Sequence, residues 1–597
     1  MDLIEPLQFF DENIPCLAAC PVHTNAGLYV AAIADGEDHH SYLTARLPNP
    51  FASVCGRVCA APCEDACRRG EIDRPIAIRA LKRFVTEKYG VEAGAASQWD
   101  DPRSAPPPQR TERVAIVGGG PAGLAAAHDL RRFGYGVTVI ESTGVLGGMM
   151  KLGIPEYRLD RQLLDAEIGA IIDLGVEVQL NTRLGTDVSL DELRSDHDAV
   201  FLAIGATQGR DLDIEGHEAD GVLRAIEYLI NVNQGFQVEV GARVVVIGGG
   251  NVAMDAARTA LRTAAYDQAS TSQDQYEERE VREAITQAMD AARTAVRAGA
   301  QHVTVVSLES EDEMPADEFE LIEAAIEGIE FRHRRGPARI ATKDGRAVGL
   351  ETIGVTSVFN AEGRFAPEFD HDDRDIIDCD TVILAIGQAI DLEALGEDGP
   401  SISPRRTIAT DDDLATTIPG VWAGGDAASG PRNLIDAIAD GRRVASAIHQ
   451  SLSGEEPAER SGGQMVMLEQ FHRSVDLYDR QARLEIPSLP SGRRIGLSQV
   501  ELGFTEQQAR CEAARCLRCF ANVLLDTAKC VLCALCVDVC PVDVLSMVPA
   551  VEVSAQLGAG TALMLDERAC IRCALCVDRC PTDALAMGTW SGFGVPA

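Results

Sequence analysis

The chain has 597 residues, 46% of them apolar and 24% charged, and a formal net charge of -38. That length exceeds what one hydrophobic core supports, and the charge excludes nucleic acid and an anionic membrane surface as partners, because both would repel an acidic protein. No apolar run reaches the roughly eighteen residues of a membrane span and the opening MDLIEPLQFFDEN is acidic where a secretory signal is basic, so a cytoplasmic location is expected.

The first segment, 1–108, carries six of the 18 cysteines, in IPCLAACPVHTN and CGRVCAAPCEDAC. In a cytoplasmic chain such clusters point to metal or redox work before disulfides. Next comes RVAIVGGGPAGLAAAHDLRRFGYGVTVIE, a strand, a glycine turn, a helix and a second strand. Gly118 permits the tight turn, Gly120 lets backbone amides approach a pyrophosphate, Gly123 lets helix and strand pack, and Glu141 stands where a carboxylate accepts from a ribose hydroxyl. A second unit, ARVVVIGGGNVAMDAARTA, puts Gly248, Gly250 and Ala253 in the same roles.

Between Asp255 and residue 300 the run DAARTALRTAA recurs as DAARTAVRAGA, which reads as a tandem duplication forming a solvated insert or a partner-docking arm. Cys379 stands alone in IIDCDTV and is expected to be a plain core or surface residue. The two similar strands AVFLAIGA and TVILAIGQ end on Gly205 and Gly387. VWAGGDAASGPRNLIDAIADGRRVA then offers Asp426 ahead of another helix. EAARCLRC is helix-like and delivers Cys516 and Cys519, two ligands of a site that needs more. The tail repeats C-x2-C-x2-C-x3-C-P, in CVLCALCVDVCPVD and CIRCALCVDRCPTD.

Each half of that tail resembles half of a bacterial two-cluster ferredoxin, a likeness that implies one [4Fe-4S] cluster on Cys530, Cys533, Cys536 and Cys580 and a second on Cys570, Cys573, Cys576 and Cys540. Over residues 10–450, the runs GGMMKLGIPEYRLD (with Gly148), GGGNVAMDAAR (with Asn251), EMPA and CGRVCAAPCEDAC resemble the glutamate synthase small-subunit family. That family includes the NAD(P)H-oxidising half of dihydropyrimidine dehydrogenase and the ferredoxin transhydrogenase large subunit. The resemblance implies an α/β fold of two nested Rossmann-like dinucleotide-binding domains, an N-terminal helical iron-sulfur domain and a C-terminal ferredoxin-like α+β domain. Expected boundaries are 1–108 for the N-terminal domain, 109–210 with 386–450 for FAD, and 211–385 for NAD(H) with an insert at about 262–292. A linker follows over 451–525 and the ferredoxin-like domain over 526–597. Gly148, Gly205 and Asp426 would serve FAD, and Gly387 the NAD domain.

Relatives that use NADPH carry an Arg-Arg pair a few residues before Met-Pro; counting back from Met314 puts Leu308 and Glu309 there, which implies NADH. The family's opening CxxC is absent ahead of Cys16, and EAARCLRC has its look. A family Glu or Gln ligand falls on Lys82, and an ammonium cannot bind iron. Family positions then imply one cluster on Cys16, Cys67, Cys516 and Cys519, and another on Cys20, Cys59 and Cys63 with Cys55 as fourth ligand, making four clusters.

The expected function is an NADH:acceptor oxidoreductase passing electrons between NAD(H), FAD and [4Fe-4S] clusters to or from a protein partner, with no acid, base or nucleophile in a catalytic role. Glu309, the tail and the displaced cysteine pair make the chain similar to the NADH-linked flavoproteins that work with dissimilatory sulfite reductase in sulfur oxidation. Alternatives are a general NAD(P)H:ferredoxin oxidoreductase, a glutamate synthase-type electron-supplying subunit, or a cluster-holding docking subunit without nucleotide turnover; a homodimer is left open.

Overall fold

The computed structural model describes residues 13–94, 109–236, 238–269, 300–396, 399–455, 465–468, 481–494, 498–554, 558–567 and 569–590. Five parallel strands form the first nucleotide sheet, in the order Val421–Ala423, Ala199–Leu202, Arg113–Val117, Gly136–Ile140, Glu177–Gln179. The central strands are apolar without alternation because helices cover both faces.

A second parallel sheet runs Val222–Arg224, Thr381–Leu384, Arg243–Ile247, His302–Val306, Glu330–Arg332. The chain leaves the first sheet after Leu202 and returns after Leu384. At the two crossings Gln208 and Gly209 pair antiparallel with Ala389 and Gln388. Gly205 and Gly387 precede this ladder with φ of 68° and 106°, a backbone that side chains resist. Helix Asn251–Ala269 holds the first copy of the internal repeat; the second copy, but for Ala300, lies outside the described residues.

The N-terminal helices Ala26–Asp35, Asp38–Arg46, Ala52–Val58 and Ile78–Tyr89 share a core with the tail. In it Ile14, Tyr29 and Ile33 pack with Phe504, Phe520, Leu545 and Met587. Burying each such large side chain contributes about 1.5–3 kcal/mol, so this contact binds the two ends of the chain firmly. On their other side the N-terminal helices join the first nucleotide domain, where Cys20, Phe51 and Val54 pack among Val114, Ile116 and Leu164. Asn522–Leu525 and Met465–Met467 flank Leu585–Trp590 in a three-stranded sheet, so the tail's sheet draws strands from the segment read as a linker.

One expectation is corrected locally. The helix Glu506–Ala514 ends before the cysteine pair of EAARCLRC, which lies in the turn that follows. There Arg518 takes φ 52° and its amide donates to Cys516 Sγ at 3.4 Å. A continuing helix would commit that amide to the carbonyl four residues back, away from the sulfur.

Candidate functional site

A Cβ on Gly118 would fall 2.2 Å from Ala203 O, and one on Gly123 would fall 2.0 Å from Gly118 O, so the first turn admits only glycine at both. Gly120 precedes helix Pro121–Arg132, and a Cβ on Gly148 would come 2.8 Å from the Gly120 Cα. Glu141, nearly buried, accepts from the Gly119 amide at 2.8 Å and from the Thr143 amide at 2.8 Å. Gly118, Gly120, Glu141, Gly148, Gly205 and Asp426 line one cavity of about 170 Å³. Burial pushes the Asp426 carboxyl up to about 6, and it accepts from the Arg432 amide at 3.2 Å. A cavity lined by a glycine turn and by carboxylates that can accept from hydroxyls suits a dinucleotide such as FAD.

The second turn repeats this geometry. Gly248 has φ 141°, and its Cβ would fall 2.3 Å from Ala385 O. Ala253 is fully buried where the first unit has glycine. Asn251 donates from Nδ2 to Asp317 Oδ2 at 3.0 Å and accepts the Asp317 amide at 2.9 Å, which fastens the EMPA loop to the turn. A Cβ at Gly249 would lie 2.9 Å from Glu309 Oε2, as one at Gly119 would lie 3.2 Å from Glu141 Oε2. The two glutamates therefore stand over equivalent glycines. Nearby cations are already engaged, Arg334 with Glu313 at 2.7 Å and Arg335 with Asp373 at 2.9 Å.

Gly248, Gly250, Asn251, Leu308, Glu309 and Gly387 belong to a cavity of about 980 Å³ that also reaches Asp426. Val58 and Ala60, the residues on either side of Cys59, form part of its wall. Arg158 joins that wall, pairing with Asp255 at 2.8 Å and Glu320 at 2.7 Å. Sequence reading quoted the motif around Arg158 without assigning it a role. Its signal was the single cation of GIPEYRLD, but Glu156 and Asp160 in the same run offer local partners, and the buried acids that receive it lie far along the chain.

The cysteines gather in four groups. Cys16, Cys67, Cys516 and Cys519 line one small cavity. Burial pushes the Cys16 thiol well above its ordinary value, and the sulfurs of Cys519, Cys516 and Cys67 add to the shift. Cys20, Cys55, Cys59 and Cys63 form another group, each acting on another of the set and all on the buried Lys82 ammonium. In the tail, Cys530, Cys533, Cys536 and Cys580 line a third cavity, and Cys540, Cys570, Cys573 and Cys576 a fourth. Cys379 is buried in the second nucleotide domain's core, and Cys511 is exposed.

Among the described residues no three His, Cys, Asp or Glu side chains close around a single metal ion. Cysteines at the corners of a cubane stand around a cluster instead, and the backbone fits that larger guest. The second residue after Cys59, Cys516, Cys530 and Cys570 is left-handed in every case, with φ of 55° at Ala61, 52° at Arg518, 54° at Leu532 and 59° at Arg572. None is glycine, so each costs of order 1 kcal/mol or more, and the same cost at four matching positions marks a shared purpose. The bend turns amides inward, as Ala61 N shows at 3.3 Å from Cys59 Sγ, and such nests suit the negative sulfur of iron-sulfur sites.

Comparison with known proteins agrees with this assembly. The pyridine nucleotide-disulphide oxidoreductase family matches residues 112–441, dihydropyrimidine dehydrogenase domain II with its 4Fe-4S cluster matches 11–93, and the 4Fe-4S dicluster domain matches 529–584. The chain is 35% identical over 535 residues to the NADP(+)-dependent formate dehydrogenase subunit beta of Moorella thermoacetica, covering 85% of this chain and 70% of that one. It is 33% identical over 557 residues to the NADPH-Fe(3+) oxidoreductase subunit beta of Geobacter sulfurreducens, covering 86% and 76%. Against the glutamate synthase [NADPH] small chain of Escherichia coli identity is 31% over 456 residues, covering 73% and 88%. With two nucleotide turns, a cavity between them and cysteine groups at both ends, the chain belongs to the pyridine nucleotide-disulphide oxidoreductase family and is an iron-sulfur flavoprotein oxidoreductase of the NAD(P)H-dependent kind.

Proposed function

We propose that the chain is an NADH:acceptor oxidoreductase that exchanges electrons between NAD(H) and a protein partner. The observation that carries this reading is the single cavity connecting the Gly248–Gly250 turn, Asp426 and the residues flanking Cys59. FAD supplies the exchange between hydride and single electrons, and [4Fe-4S] clusters carry the single electrons. The protein's part is positioning. Gly118 and Gly120 admit the FAD pyrophosphate at the N-terminus of helix Pro121–Arg132, Glu141 accepts from its ribose, and Asp426 accepts from the ribityl chain. Helix Leu434–Ser453 begins at the wall of the large cavity beside Asp426, where its N-terminal dipole would favour negative charge on a bound flavin.

Glu309 decides the nucleotide. Its carboxylate accepts from a free 2'-hydroxyl and repels a 2'-phosphate, while Arg334 and Arg335 are engaged by Glu313 and Asp373. The four cysteine groups each hold one [4Fe-4S] cluster. As partner we infer a sulfite reductase-type enzyme in sulfur oxidation, with net flow toward NAD; the likeness in the tail, Glu309 and the displaced cysteine pair supports it. A second reading, an electron-supplying subunit of another oxidoreductase, is favoured by the relatives named as subunits of a formate dehydrogenase and of an Fe(3+) oxidoreductase. The test is recovery of the partner from native cells, followed by NADH-dependent reduction of the recovered protein. A sulfite reductase reduced at the expense of NADH supports the first reading, whereas reduction of a different oxidoreductase supports the second. A chain that oxidises no NADH even with artificial dyes contradicts both.

A further inference from the structure

Lys82 lies on helix Ile78–Tyr89 and is 7% exposed. The neighbouring cations on this helix have acidic partners, Arg79 with Glu501 at 2.6 Å and Arg83 with Glu87 at 2.6 Å. Lys82 differs from them. Among the described residues no carboxylate pairs with it; its helix instead lies close against helix Ala52–Val58, where a Cβ on Gly56, next to Cys55, would fall 2.9 Å from the Cα of Arg83, next to Lys82, and Cys55, Cys20, Cys59 and Cys63 all act on its charge. Its Nζ stands 5.9 Å from the ring centroid of Tyr29, whose other neighbours include Cys63, Cys20 and Cys16.

A buried ammonium without an anion is penalised by several kcal/mol. Here the compensating charge comes from the cysteines. Four thiolates outweigh the positive charge of a cubane core, so the assembled group is a buried anion, and reducing it adds another negative charge. The potential of such a cluster follows its net charge and surroundings. We propose that Lys82 is the fixed countercharge of the Cys20, Cys55, Cys59 and Cys63 site and raises the potential of the cluster held there. The proposal rests on the reading that these cysteines hold a cluster. Because Val58 and Ala60 also wall the large cavity, the cation favours electron uptake at a site that borders that cavity.

The test compares wild type, K82M and K82R as full-length, anaerobically reconstituted chains, by iron and acid-labile sulfide content and by EPR-monitored redox titration. K82M is expected to shift one cluster's midpoint potential downward and leave the others unmoved, with K82R close to wild type. Loss of one cluster from K82M but not from K82R also supports a countercharge. Unchanged potentials in K82M, or the same behaviour in K82M and K82R, would overturn it. Cys20→Ala separates this from the ligand reading: if that variant keeps every cluster of the wild type, the site itself is misassigned and the Lys82 proposal falls with it.

Discussion

Arg515 pairs with Asp73 at 2.9 Å across 442 residues of sequence. Burial raises the Asp73 carboxyl, but hydrogen bonds from Arg69, the Arg74 amide and Arg515 outweigh it and hold the group at about 2. Beside them the fully buried Glu512 accepts from the Ala77 amide at 3.0 Å and the Leu484 amide at 2.9 Å. These contacts seat Cys516 against Cys16. Replacing Cys516 and Cys519 by alanine is expected to remove one of the four proposed clusters, read as iron and sulfide per chain. Glu512→Ala leaves the Arg515 guanidinium buried with less compensation and is expected to cost about 3 kcal/mol in stability, measured by denaturant unfolding.

Asp426 gives a pH prediction. Its folded-state carboxyl is raised to about 6 by burial, so its stabilising contribution is full below the unfolded value near about 3.9 and is lost as pH rises through 6. Protein stripped of flavin should therefore lose stability between about pH 4 and 6. Asp426→Asn should flatten that dependence and raise Tm at pH 8, while weakening flavin retention. Unchanged flavin affinity in the variant would remove Asp426 from the site.

The two glycine turns and the tail repeat were legible because each is a local geometric demand written in consecutive residues: only glycine fits at Gly118, and a cubane needs cysteines at fixed spacing. The reunion of Cys516 with Cys16 was reached only by counting cysteines against family positions, since nothing local in EAARCLRC names its partner. The left-handed turns at Ala61, Arg518, Leu532 and Arg572 were invisible, as none of these residues advertises positive φ. Arg158 joining Asp255 and Glu320 escaped for another reason, since ion pairs across domains leave no periodic trace.

The proposed preference for NADH rests on Glu309 standing over Gly249. kcat/KM should favour NADH over NADPH by at least tenfold, about 1.4 kcal/mol in transition-state binding. Exchanging Leu308 and Glu309 for arginines should move the preference toward NADPH. Equal efficiencies in the wild type would mean that the carboxylate does not meet the ribose.

Cys16 and Cys516 share one buried cluster with Cys536, Cys570 and Cys576, and Cys570 and Cys519 both act on the buried Arg572, so the tail and the N-terminal sites are contiguous. At the far end Cys533 is exposed, with Val531 and Leu532 at 63% and 43% exposure beside it, an apolar rim on which a redox partner can dock. Val531→Asp with Leu532→Asp should slow transfer to the partner severalfold and leave NADH-driven dye reduction unchanged. A full rate to the partner would place the exit elsewhere.

The most direct measurement is anaerobic NADH addition to the reconstituted full chain, followed together by flavin absorbance and EPR. The account predicts flavin bleaching accompanied by reduced-cluster signals, with NADPH at least tenfold less effective. Flavin reduction with no cluster signal, or cluster signals that form equally well with NADPH, would contradict it.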